Sequence, residues 1–245
     1  MKIGIIGSGG VGEALVRNLR DQGHDVRVAN SRGPQSLAAL AAETGAKPVT
    51  VADAVRDVDL IIVSIPQGKI PVLPKDLLAG VPKTVPVIET GNYYPARDGA
   101  IAEIDNGMVE SVWVAKHLNR PVLKVFNNIF QVAIREGRRA KGAVDRFALP
   151  IAGDDPAAKA LVSKLVDEMG FDPIDAGTLA ESWRQQPGSK VYATDLTKDT
   201  MPEALAKTDL AVLNQRFTAM VTHIQENGMG SWHDLRDLAR GLFSA

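Results

Sequence analysis

The sequence predicts an α/β fold: a Rossmann-like doubly wound, mainly parallel sheet with a short helical C-terminal extension. Three observations predict it. An apolar strand at the very start of the chain runs straight into Gly7-Ser8-Gly9-Gly10-Val11-Gly12 and then into a helix. Short apolar runs recur and alternate with helical stretches, the pattern of parallel strands covered on both faces. Beyond about residue 177 the chain becomes polar and turn-rich, then amphipathic and helical.

The elements follow in order. Residues 2–6 read as the first strand, 13–19 as the first helix and 25–29 as the second strand. An alanine- and leucine-rich helix covers 35–44 and stops at Gly45; 48–50 is a short strand and 51–57 a short helix. The strand at 60–65 is halted by Pro66, which cannot donate to a ladder. A short helical piece is expected over 73–78, then a strand over 85–90 that closes in Gly91-Asn92-Tyr93-Tyr94-Pro95. A helix over 109–118 and strands over 122–126 and 146–152 come next. Asp154-Asp155-Pro156 caps a helix whose Leu161, Leu165 and Met169 form one stripe, with Gly170 at its end and a last short strand over 171–174. These elements define a nucleotide-binding domain over 1–177, and 178–245 forms the extension. There Thr200 and Glu203 are spaced as a capping box, and one helix is expected from there to about residue 226. Leu210, Leu213, Phe217, Met220 and Ile224 recur at spacings of three and four. That stripe packs on the chain's own sheet domain or, as the second option, forms a homodimer contact. A final helix covers 232–242.

Composition bounds the function. The chain has 245 residues, 45% hydrophobic and 23% charged, ordinary values for a globular enzyme. A formal net charge of −1 gives no footprint for nucleic acid or an anionic membrane. The absence of cysteine excludes disulfides, thiolate catalysis and cysteine-held metal. The histidines (His24, His117, His223, His233) show no paired metal spacing, and no metal site is expected. No apolar run approaches the ~20 residues of a membrane span. The first strand begins at Lys2, so the expectation is a cytoplasmic protein without a signal peptide.

A glycine motif alone is weak, but here it follows a strand and opens a helix, the context a dinucleotide site needs. Gly7 makes the tight turn, Gly9 lets backbone approach a pyrophosphate, and Gly12 lets helix and strand pack closely. The helix N-terminus, flanked by Ser8, Gly10 and Val11, offers N–H groups and a positive dipole end to phosphate. The second strand ends in Asn30-Ser31-Arg32, where an NAD site would carry an acid. A carboxylate would repel a 2′-phosphate, whereas a hydroxyl and a guanidinium would bind one, so NADPH is favoured over NADH. Ligands of an open α/β sheet bind beyond the strands' carboxyl ends. The segments there are Ser64-Ile65-Pro66, Thr90-Gly91-Asn92-Tyr93-Tyr94 and Phe126-Asn127-Asn128. Their amides and hydroxyls suit ribose, carboxamide and flat rings but carry protons poorly. That suits hydride transfer between positioned rings, for which position matters most. No catalytic residue is assigned.

These motifs together resemble one family. The glycine turn, Asn30-Ser31-Arg32, Ile65-Pro66, Val125-Phe126-Asn127-Asn128-Ile129, Ile151-Ala152-Gly153-Asp154-Asp155 and Pro173-Ile174-Asp175-Ala176-Gly177-Thr178-Leu179 are similar to the NADPH:deazaflavin coenzyme oxidoreductases. They are similar too to the related soluble reductase domains of six-transmembrane ferric reductases. The resemblance implies NADPH held by the glycine turn and Ser31-Arg32, with a flavin (FMN or FAD) or deazaflavin ring against the nicotinamide. Cofactor contacts are expected from Gly7 to Gly12, from Asn30, Ser31 and Arg32, and from Ser64, Ile65, Pro66, Thr90, Asn92 and Asn127. Tyr93, Tyr94, Asn127 and Asn128 are expected near the second ring. His117 and Lys116 read as helix-end residues, and Lys124 as a packed stem reaching the sheet's end. Two other classes stay open: an NADPH-dependent carbonyl or imine reductase, and a non-catalytic NADPH sensor.

Overall fold

The computed structural model describes residues 1–243. Its central sheet is wholly parallel, built from β1 (Lys2–Ile6), β2 (Asp25–Ala29), β3 (Lys47–Pro48), β4 (Leu60–Val63), β5 (Val87–Glu89) and β6 (Leu123–Lys124). The strand order is β3-β2-β1-β4-β5-β6. The order reverses between β1 and β4, and that crevice is where doubly wound sheets bind dinucleotides. This is a Rossmann-like fold.

The strands are apolar on both faces because helices cover both. Leu60 and Ile62 join Ile3, Ile5, Leu15 and Leu19 in one cluster, while Ile61 and Val63 join Val87, Trp113 and Val114 in the other. The first face is covered by α1 (Gly10–Asp21), α7 (Gln131–Glu136) and α8 (Pro156–Glu168), the second by α6 (Glu110–Leu118). Small pieces fill the connections: α2 (Ala38–Thr44), α3 (Val51–Ala54), α4 (Pro95–Asp98) and α5 (Ala102–Asp105). Asp155 caps α8 as read from the sequence, accepting from Ala157 N and Ala158 N. The expected helix over 73–78 is a series of turns, and a 3-10 segment precedes it at Gln67–Val72.

The two last strands form a separate parallel pair, β7 (Ala148–Ile151) and β8 (Asp172–Asp175). An antiparallel bridge, Lys124 to Ala152, links them to the main sheet, and Leu149 and Ile151 share its core. Strand β6 is cut short because Phe126 takes a left-handed φ of 64° and turns the chain away.

The extension departs furthest from expectation. The capping box forms at Thr178 and Glu181, opening the 3-10 segment Leu179–Gln185. Thr200 does not cap a helix; its hydroxyl bonds Thr197, and Glu203 pairs with Lys207. The expected single helix is divided into α9 (Met201–Ala206), a 3-10 turn at Leu210–Val212 and α10 (Leu213–Asn227). Asp209 causes the break, since its carboxylate accepts Ala211 N–H and starts a new turn. Leu210 therefore leaves the stripe and is 58% exposed. Leu213 and Met220 are buried in this chain, and Met220 packs with α11 (Trp232–Phe243) through Leu235 and Ala239.

Candidate functional site

At the end of β1 the chain turns at Gly7 with φ 118°, where a Cβ would lie 2.0 Å from Ser64 O. A Cβ on Gly12 would lie 2.2 Å from Gly7 O, so α1 starts pressed against the turn. Gly9 differs: it is the N-cap of α1, and a Cβ there would meet nothing within 4 Å. The first helical bond runs from Glu13 N–H to Gly9 O, so the N–H groups of Gly10, Val11 and Gly12 precede the helix ladder. The cradle fits a pyrophosphate, being open on the ligand side and closed on the protein side.

On one flank lies the loop after β2. The Asn30 amide donates to Ser8 Oγ at 3.0 Å and Ser36 Oγ at 2.9 Å, and its Oδ1 accepts Arg32 N–H at 2.9 Å. Asn30 thus ties the glycine turn to the loop bearing Ser31 and Arg32, both exposed. Among the described residues the Arg32 guanidinium has no ion-pair partner, and no carboxylate ends β2.

On the other flank a cleft of about 560 Å³ opens over β4 and β5. It brings together Gly9, Gly10, Val11, Ser64, Ile65, Pro66, Thr90, Asn92, Tyr94 and Asn127 of the residues expected from sequence. Thr90 Oγ1 donates to Ser64 Oγ at 2.9 Å. Asn92 and Asn127 stand in the wall, but their amides are occupied. Asn92 Nδ2 donates to Asn127 O, and Asn127 Nδ2 donates to Asn92 Oδ1 and Gln185 O. Gln185 Nε2 returns a bond to Asn127 Oδ1 at 2.9 Å. Asn127 shapes the wall more than it offers free hydrogen bonds.

Two expected residues turn away from the cleft. The Tyr93 hydroxyl bonds Gly99 O and Asp105 and accepts Ile101 N–H. Asn128 is buried and donates to Val191 O. Around Tyr94 the backbone is extended and successive side chains point to opposite sides, so Asn92 and Tyr94 face the cleft and Tyr93 does not; Asn127 and Asn128 lie in the turn that follows the left-handed Phe126. His117 lies at a helix end, as read, with its Nδ1 3.0 Å from Trp113 O.

Sequence reasoning missed the far wall. Tyr192, Trp232 and Leu235 come from the extension, Gln131 from the start of α7 and Arg97 from α4. The Tyr94 and Tyr192 hydroxyls are 2.7 Å apart, Phe217 stacks on Tyr94 at 5.3 Å, and Arg97 lies over the Tyr94 ring at 4.6 Å. Burial raises the pKa of both phenols, Tyr192 well above its usual value, so both stay neutral. Asp98 pairs with Arg97 at 2.8 Å.

Behind the Gly91–Asn92 wall lies a buried charge cluster. Lys124 Nζ is 3.0 Å from Glu89 Oε1 and 3.5 Å from Glu110 Oε2, and it donates to Gly91 O at 2.9 Å. Glu89 accepts from Gly91 N–H and from the Ser111 hydroxyl. Burial pulls the Lys124 pKa down, and the two carboxylates more than reverse it, leaving it raised and the amine charged. Lys124 is therefore an ion-paired core residue, not only a packed stem. The sequence did hold a signal: Lys124 and Glu89 interrupt two apolar strands and stand in register across them. Among the described residues no metal-binding group of side chains occurs, and no helix is long and apolar enough to cross a membrane.

Residues 2–93 match the family NADP oxidoreductase, coenzyme F420-dependent. The matched span contains the glycine turn, the Asn30–Arg32 loop and the Ser64–Asn92 side of the cleft, whereas the quoted motifs at 125–129, 151–155 and 173–179 lie outside it. The chain is 42% identical over 73 residues to the Escherichia coli (strain K12) protein YjhV, covering 30% of this chain and 53% of that protein. It thus spans about half the length of that relative. Hypothetical protein SMa0349 from Sinorhizobium meliloti superposes with a TM-score of 0.68 at 28% identity, covering 81% of this chain and 96% of that one. A candidate F420-dependent NADP reductase from Arthrobacter sp. FB24 gives 0.61 at 22% identity, covering 74% of this chain and 87% of that one; it supports the fold alone.

Proposed function

We propose that this protein is an NADPH-dependent oxidoreductase that passes a hydride between NADP(H) and a flat ring acceptor of the flavin or deazaflavin type. One observation carries the reading. The cleft continues directly from the open glycine cradle, and its lining holds no aspartate, glutamate, histidine or lysine. Arg97 is its charged residue, already paired with Asp98. Such a chamber positions rings better than it moves protons. Gly9 to Gly12 would take the pyrophosphate and Ser31-Arg32 the 2′-phosphate, which leaves the cleft for the nicotinamide half. When bound, NADPH supplies the hydride. Ser64, Thr90 and the Asn92–Asn127 pair would fix the ring's edge, and Tyr94, Tyr192 and Trp232 would flank the acceptor. The name of the matched family supports a deazaflavin acceptor.

The neutral Tyr94–Tyr192 pair favours a second reading, carbonyl or imine reduction, in which a phenol donates the proton that accompanies hydride addition. One assay separates the two. NADPH consumption is followed with FMN, FAD, the deazaflavin coenzyme, a quinone, a ketone, a cyclic imine and no acceptor. Turnover with a ring acceptor is expected. Turnover confined to ketone or imine would replace the proposal with the second reading, and tight binding without turnover would favour a sensor.

The cofactor preference has its own test. Arg32→Ala is expected to weaken NADPH roughly 10- to 100-fold, the ~1.5–3 kcal/mol of hydrogen bonds to a charged group, and to leave NADH nearly unchanged. Equal weakening of both, measured by titration, would remove the 2′-phosphate role.

A further inference from the structure

The Lys124 cluster is unbalanced: two buried carboxylates face one ammonium. Glu89 is 2% exposed, Glu110 6% and Lys124 0%, so little solvent screens them. Glu110 Oε2 has no hydrogen-bond partner although it lies 3.5 Å from the Lys124 amine. The cluster is not remote from the cleft. It grips Gly91 from both sides, through Lys124 Nζ to Gly91 O and Gly91 N–H to Glu89, and Gly91 and Asn92 line the chamber.

We propose that the Lys124–Glu89–Glu110 cluster presents a net negative charge to the nicotinamide half of the cleft, so that the cationic oxidised cofactor is held more tightly, relative to the neutral reduced one, than the lining alone would hold it. This rests on the reading that the cleft receives the nicotinamide. NADP+ and NADPH share every phosphate and differ in ring charge, so a buried charge behind the wall discriminates between them. A unit charge ~10 Å away at an effective permittivity near 20 corresponds to a ratio change on the order of tenfold. Tightening the oxidised form favours NADPH as the hydride donor.

Glu110 is the member that varies. Burial raises its pKa to about 7, against the opposing pull of Lys124 and the Tyr93 N–H. The cluster is therefore net negative above that value and near neutral below it. The groups around Glu110 are few. Lys124 and Glu89 face it from β6 and β5, and the half-buried Tyr94 and Tyr192 phenols feel its charge. On the segments packed against α6, Glu181 pairs with Arg184 at 3.0 Å, while Lys69, Glu103 and Asp105 are exposed. Arg97 stands over Tyr94.

The test is binding, not turnover. Dissociation constants of NADP+ and NADPH are measured at pH 6 and pH 9 for the wild type and for Glu110→Gln, which keeps the shape and removes the charge. The 2′-phosphate also titrates near pH 6, but identically in both forms, so it cancels in the ratio. At pH 9 the wild-type preference for NADP+ over NADPH is expected to exceed that of Glu110→Gln about tenfold, and at pH 6 the two proteins converge. Equal ratios at pH 9 overturn the inference while leaving the NADP(H) reading intact. If Glu110→Gln does not fold, the wild type decides: its ratio must fall about tenfold from pH 9 to pH 6, and a flat ratio overturns the inference. Failure of both forms to bind at either pH overturns the NADP(H) reading and the inference together.

Discussion

Gly9→Val is expected to abolish NADP(H) binding, a loss of at least about 100-fold, in a protein that still folds. The argument separates ligand from scaffold. A Cβ on Gly7 or Gly12 would strike backbone at 2.0 or 2.2 Å, so substitutions there report on folding. A Cβ on Gly9 meets no protein atom within 4 Å, and the backbone there, at φ −79° and ψ −178°, is extended and open to any residue. The valine would occupy the space over the free N–H groups of α1, where a pyrophosphate must sit at hydrogen-bond distance. The folding cost is that of a poorer N-cap, about 1 kcal/mol, or a melting temperature lower by roughly 2–4 °C. Thermal melting and cofactor titration on one preparation check both halves. Retained binding would mean that the turn is not the phosphate site.

Lys124→Met is expected to destabilise the fold strongly. It leaves Glu89 and Glu110 buried without their ammonium, and breaking a buried ion pair in this way costs ~3–5 kcal/mol. For a chain of this size that lowers the melting temperature by roughly 6–20 °C. The deficit depends on pH, and its sign follows from linkage. With the ammonium gone, burial and mutual repulsion favour the protonated carboxyls in the folded state, which then binds more protons than the unfolded chain. Stability of the variant accordingly rises as pH falls, so the gap to wild type narrows from pH 8 toward pH 5. A constant deficit across that range would show that lost packing, not stranded charge, is responsible. Loosening of Gly91 should accompany it, since Lys124 Nζ and Glu89 hold that residue's carbonyl and N–H.

The sequence disclosed whatever is local. The glycine turn, the strand-end loops and the missing acid at Asn30 are contiguous segments whose meaning depends on their neighbours in the chain, and the parallel pairing of the sheet follows from the alternation of apolar strands with helices. What it concealed depends on distant pairing. Nothing near Tyr192 announces that its hydroxyl will meet that of Tyr94, a residue 98 positions earlier. Asn127 sits at a strand end like a ligand-binding amide, yet Gln185, 58 positions on, consumes it. The tail was read as one helix because its apolar spacing runs through Asp209, whereas a side-chain cap on Ala211 N–H outweighed that period. Thr200 and Glu203 have capping-box spacing, but the same spacing at Thr178 and Glu181 is the one that forms.

The far wall of the cleft comes from Tyr192, Trp232 and Leu235, while the dinucleotide cradle comes from Gly7 to Gly12, some 180 positions earlier in the chain. The two determinants are therefore separately heritable. Recombination or drift confined to the codons of that later stretch can recast which molecule fits the chamber without disturbing the grip on the cofactor, so descendants of such a chain can diverge in diet while keeping one currency of reducing power.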